Sequence, residues 1–173
     1  MYFDLLISLV IITSSTLIGC EFAKAYRYRD KQLRQLQGAL SRLEAEIIHY
    51  STRLSDALQN VGESIEGEIG DLFILVSKLL DKRGNITVGS AWRMALKDLK
   101  DRLYLKKDEL DILYRFGDQL GISDRNGQAK YIKLTLDQLY HQELDARETR
   151  KKYEKMYKSL GLLGGIGIAV LLI

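Results

Sequence analysis

The side chains able to do chemistry in this chain are few, and their spacing does not assemble a reaction centre. No GxxxxGK[ST] phosphate loop, HExxH pair, paired-cysteine motif or EF-hand loop occurs, so the usual signatures of phosphoryl transfer and zinc hydrolysis are missing. Cys20 is the one cysteine, which leaves neither a disulfide framework nor a structural zinc cage. His49 and His141 each fall on a predicted helix, where surface or partly buried positions account for them. Glu63, Glu66, Glu68 and Asp71 form an acidic run punctuated by glycines. It lacks the ordered oxygen ligands of a calcium loop and reads instead as a solvated helix start or a protein-docking patch. Trp92 reads as core. The expectation is a non-enzymatic protein with no catalytic residues, cofactor or metal.

The elements that would position such a patch are helices. Proline is absent from the 173 residues, and 46% of them are hydrophobic, a composition that favours helix interiors and supplies a real core. Residues 5–20 carry no charge and are rich in Leu, Ile and Val. With their margins they make a helix of roughly 30 Å, about one hydrocarbon core. The hydroxyls of residues 13–16 are tolerable there because they can bond back to helix carbonyls. A second apolar run, 160–173, gives about 21 Å of helix and reads as a short membrane segment needing local bilayer thinning or a partner helix. Gly161 and Gly165, four apart, would let two helix backbones approach closely, or else merely loosen a terminal tail.

Charge orients these ends. Residues 24–34 hold five bases and one acid, 147–158 hold six bases and two acids, and 35–146 hold 15 bases and 18 acids. Both basic clusters flank an apolar run on the side facing the middle of the chain, which predicts a cytoplasmic middle. Contact with anionic head groups explains the same clusters without nucleic acid. A cleaved secretory signal would start with positive charge, and none precedes Lys24. Leu17-Ile18-Gly19-Cys20 resembles a lipoprotein box, a rival reading that the missing basic start and the second apolar end oppose.

Apolar periodicity predicts six helices between the anchors. The first, continuous with the anchor, has Leu33, Leu36, Leu40, Leu43, Ile47 and Tyr50 on one stripe. The second runs from about Arg53 to Gly62, capped by Ser51 or Thr52. The third buries Ile69, Leu72, Phe73, Val76, Leu79 and Leu80 and stops at Gly84. The fourth covers 88–104, and the fifth runs from about Lys106 to Gly121. The sixth, capped by Ser123, carries Ile132, Leu136, Leu139 and Tyr140, then leads through a charged stretch into the second apolar run. The predicted fold is all-α, a six-helix cytoplasmic bundle over 26–158 flanked by transmembrane segments at 1–25 and 159–173.

Several stretches together resemble the stage III sporulation protein AB family of endospore-forming bacteria. They are Gly19 with Glu21-Phe22-Ala23-Lys24, then Arg34-Gln35-Leu36, Ala39-Leu40 and Leu43-Glu44-Ala45-Glu46-Ile47. Further on come Leu105-Lys106-Lys107 to Glu109, Phe116-Gly117-Asp118-Gln119-Leu120-Gly121-Ile122-Ser123-Asp124, Gln128 to Lys133, and the end from Lys155-Met156 through Lys158-Ser159-Leu160-Gly161. The resemblance covers nearly the whole chain. Asp30 and Arg53 stand where the family often has proline, which predicts less rigidly set starts for the first two helices. Cys20 is not part of the family pattern. The resemblance implies a mother-cell membrane protein of the channel complex linking mother cell and forespore. Its soluble part is similar to the bundles of type II secretion protein F, a platform that would dock the stage III sporulation protein AA ATPase and other channel membrane proteins. Glu63, Glu66, Glu68 and Asp71, together with the turn of Ser123, Asp124 and Arg125, are the expected docking residues. Membrane lipids are the other expected partner, with a homo-oligomer left open. The rivals are a membrane-tethered signalling or assembly factor unrelated to transport, and an enzyme without a readable motif.

Overall fold

A computed structural model describes residues 2–82, 86–122 and 125–172. Among these there is no strand, and six α-helices follow one another: α1 (Tyr2–Ile48), α2 (Leu54–Glu63), α3 (Glu68–Lys82), α4 (Val88–Leu99), α5 (Lys107–Gln119) and α6 (Arg125–Leu172), with a 3-10 turn at Lys100–Arg102. The chain divides into two compact units. One joins Met1–Asp30 to Asp145–Ile173, and the other is Lys31–Leu144. This packing boundary is not the hydropathy boundary at 25/26 and 158/159, because each terminal arm carries on into charged helix before its unit ends.

In the unit of Lys31–Leu144, the stripe of α1 expected to point inward does so: Leu33, Leu36, Leu40, Leu43 and Ile47 are buried. Its last member does not. Tyr50 lies beyond the end of α1 and is exposed, because the helix stops at Ile48 and Ser51 takes a left-handed φ of 55°. The centre is aromatic. Trp92 of α4 is fully buried and meets Phe73 of α3 and Phe116 of α5 edge to face, with ring centres 5.3 and 5.2 Å away. That geometry suits the ring quadrupoles. Gly117 beside it leaves the indole its space, since a Cβ there would lie 2.5 Å from Trp92.

Polar groups pin the connections. Gln32, buried on α1, accepts the Tyr104 N–H at 2.7 Å and donates to the Arg102 carbonyl at 3.3 Å. The Ser77 hydroxyl donates to the Ser55 carbonyl at 2.8 Å, joining α3 to α2. Thr87 caps α4 by accepting the Ser90 N–H at 3.2 Å. Buried Glu109 accepts the Lys106 N–H at 2.6 Å at the start of α5. Gly121, with φ of +85°, turns the chain out of α5 in a conformation that glycine adopts without a Cβ penalty.

Local expectations fail elsewhere too, and Leu79 and Leu80 of α3 are half-buried rather than buried. The cap of α2 is Arg53, with no side-chain cap bond, because the Thr52 hydroxyl donates to Glu46 at 2.7 Å instead. The fourth helix stops as α-helix at Leu99, and Tyr104 lies in the extended stretch after the 3-10 turn. Apolar Leu103 keeps the helical register in sequence, while Gln32 captures the following backbone. Tyr140 is half exposed rather than inward. Asp30 does not mark a helix start at all, for α1 passes through it unbroken. Gly84 and the capping residue Ser123 lie outside the described residues.

Candidate functional site

The acidic run sits at the α2 to α3 turn. Glu63, the last residue of α2, accepts a hydrogen bond from Gln59 Nε2 at 2.6 Å. The Glu66 carbonyl accepts from Gln35 Nε2 at 2.9 Å, and the Ser64 carbonyl accepts from Arg42 at 3.0 Å. Glu68 lies 3.5 Å from Gln32 Nε2, and Asp71 pairs with Arg102 at 2.8 Å. The carboxylates of Glu63, Glu68 and Asp71 therefore look to three different partners, while Glu66 is held through its backbone carbonyl. Glu63 and Glu66 are exposed, whereas Glu68 and Asp71 are half-buried. Among the described residues no three His, Cys, Asp or Glu side chains gather where they could hold a metal ion. Of the second expected docking turn, Ser123 and Asp124 lie outside the described residues and Arg125 opens α6.

The other unit brings α1 and α6 together. Gly161, Gly165 and Ala169 recur every four residues and are buried. A Cβ on Gly161 would lie 2.9 Å from the Ser15 carbonyl and 3.2 Å from Gly19 Cα, and one on Gly165 would lie 2.9 Å from Ile12 Cα. The Ser15 hydroxyl donates to the Gly161 carbonyl at 2.7 Å, while Thr16 and Thr13 bond back to Ile12 and Leu9 on their own helix at 2.7 and 2.9 Å. The sequence pointed to Gly161 and Gly165 but not to Ser15, Gly19 or Ala169. The small-residue spacing of 161, 165 and 169 was the signal available for the last.

Next along this unit lies an aromatic stack. Phe22 and Tyr157 have ring centres 5.8 Å apart, and Tyr26 stacks on Tyr153 at 5.2 Å and on Tyr157 at 6.0 Å. Charges follow. Asp30, fully buried, pairs with Arg150 at 2.8 Å, and buried Arg29 pairs with Asp145 at 2.9 Å. Glu154 collects Lys158 at 2.7 Å, Arg150 at 2.9 Å and Arg27 at 3.5 Å. Hydrogen bonds from Lys158 and then Arg150 hold the Glu154 carboxyl below the ordinary glutamate range, and bonds to Asp30 and Glu154 raise the Arg150 guanidinium further. Sequence reading found these cations as a flanking cluster and missed their pairing.

Among the described residues, α1 is the one helix long and apolar enough to cross a membrane. Fold and site together define an all-α protein whose first helix carries both a candidate membrane span and part of a helical bundle. The family model for Stage III sporulation protein AB matches residues 4–173, and the chain belongs to that family. It is 43% identical over 168 residues to Stage III sporulation protein AB of Bacillus subtilis (strain 168), covering 97% of this chain and 98% of the relative. A solved structure of Stage III sporulation protein AB (SpoIIIAB) is 41% identical, with a TM-score of 0.67 over 72% of this chain and 98% of its own. The chain is thus a stage III sporulation protein, and its family is named for sporulation rather than for an enzymatic activity.

Proposed function

We propose that the chain is a non-enzymatic membrane platform of the channel complex between mother cell and forespore. The N-terminal part of α1 anchors it in the mother-cell membrane, the apolar end of α6 forms a second, shorter membrane segment, and the bundle lies in the mother-cell cytoplasm. There it docks the stage III sporulation protein AA ATPase to the other membrane components. One observation carries this reading: a single uninterrupted helix, α1, holds both the candidate span and the buried stripe Leu33 to Ile47 of the bundle. A load applied to the bundle therefore has a covalent, helical path to the anchor. The exposed carboxylates Glu63 and Glu66 at the α2 to α3 turn offer a cytoplasmic partner a charged contact, and Glu68, Asp71, Ser123, Asp124 and Arg125 complete the docking set.

Two measurements test it. The full chain in lipid nanodiscs should capture the purified ATPase, and Glu63→Lys combined with Glu66→Lys should weaken capture on the order of tenfold at low salt. Absence of capture in both detergent and lipid overturns the docking role. A cysteine placed at position 173 should be labelled by a membrane-impermeant reagent only from the side opposite the bundle, and labelling from the bundle side removes the second membrane segment.

A further inference from the structure

Ion pairs within α6 and from α1 sort the basic residues of the α6 stem into two groups. Arg150 and Lys158 are engaged by Asp30 and Glu154. Lys151, Lys152 and Lys155 are exposed and carry no ion pair among the described residues, although Lys152 Nζ lies 5.5 Å over the Tyr153 ring. We propose that Lys151, Lys152 and Lys155 form a binding surface for anionic phospholipid head groups at the cytoplasmic edge of the bilayer. This rests on the membrane segment assigned to the end of α6 and goes further, because it gives that edge a lipid selectivity.

Helix rise sets the levels. Counting back from Leu160 at 1.5 Å per residue, Lys155 stands about 7.5 Å, Lys152 about 12 Å and Lys151 about 13.5 Å from the start of the apolar run, and Arg147 stands about 19.5 Å away. The head-group layer is about 6 Å thick on each side, and charge is felt about 8 Å beyond it at physiological salt. Lys155 therefore reaches the head groups, Lys151 and Lys152 lie inside the screened field, and Arg147 lies outside it. An independent observation marks the same level. The stacked rings of Phe22, Tyr26, Tyr153 and Tyr157 are interleaved with the charges next to the apolar runs, the level aromatic rings take at a membrane interface. A bilayer reaches all three lysines from one end of the helix and continues onto the apolar surface beside them.

The test uses the full chain in nanodiscs of equal phosphatidylglycerol and phosphatidylcholine, followed by native mass spectrometry of the lipids it retains on release. The unaltered chain should retain phosphatidylglycerol in preference, and the preference should collapse in 1 M salt. Lys155→Gln should cut it on the order of fivefold, Lys151→Gln and Lys152→Gln about twofold each by screening, and Arg147→Gln should leave it unchanged. Equal retention of the two lipids, or an Arg147→Gln loss matching that of Lys155→Gln, overturns the proposal. So does a triple lysine variant that keeps its lipid preference but loses ATPase capture, since that assigns the lysines to an acidic protein surface. Flotation with pure phosphatidylcholine vesicles separates the two readings: a chain that floats without lipid preference sinks the head-group surface alone, and one that fails to float sinks the membrane anchoring beneath it.

Discussion

Asp30 is the most consequential single residue of the paired arms. A fully buried carboxylate survives there because Arg150 reaches it from α6, and removing that cation leaves a buried negative charge poorly compensated. Arg150→Ala is expected to cost about 3 kcal/mol, read as a lowered thermal midpoint in detergent, while Asp30→Leu with Arg150→Leu recovers most of the loss. Glu154 adds a pH dependence of fixed sign. Its folded pKa is depressed by Lys158 and Arg150, so its stabilisation is fully present above the unfolded glutamate value of about 4.3 and fades as pH falls through the folded value. Thermal midpoints should be level above pH 6 and fall in acid, and Glu154→Gln should flatten the acid limb. The basic clusters were legible in sequence as membrane flanks, but which cations were engaged was not. Asp30 and Arg150 are 120 positions apart, and no local period links them.

At the level of elements, the apolar period of 3.6 made the helices legible almost to their ends, because each stripe must find a partner face. What it missed were terminations decided by single polar contacts. Thr52 read as a cap and was diverted to Glu46, while Thr87, which does cap, carried no stronger signal in the sequence. Thr87→Ala should destabilise the chain by about 1 kcal/mol in chemical denaturation. The aromatic centre is less forgiving: Gly117→Ala drives a methyl against the Trp92 ring and should cost about 1–3 kcal/mol with altered Trp92 fluorescence. Gly161→Leu, whose new side chain meets the Ser15 carbonyl and Gly19 backbone, should separate the two apolar arms. Disulfide crosslinking between cysteines introduced at 12 and 165 would then fall.

For the whole molecule, the all-helical class and family were readable because composition, periodicity and quoted stretches agreed. The candidate docking set was not resolvable to the same depth. Acidic residues between glycines look alike whether they face a partner or, like Asp71 with Arg102, fasten their own bundle. A further consequence comes from Gln32. Its carboxamide holds the backbone at Arg102 and Tyr104, some seventy positions away along the chain. The Tyr104 amide, though outside any helix, should therefore exchange with deuterium as slowly as the helix interiors, and proteases should find no cut between α4 and α5. Shortening that one side chain to Ser would turn this pinned loop into a point of fraying.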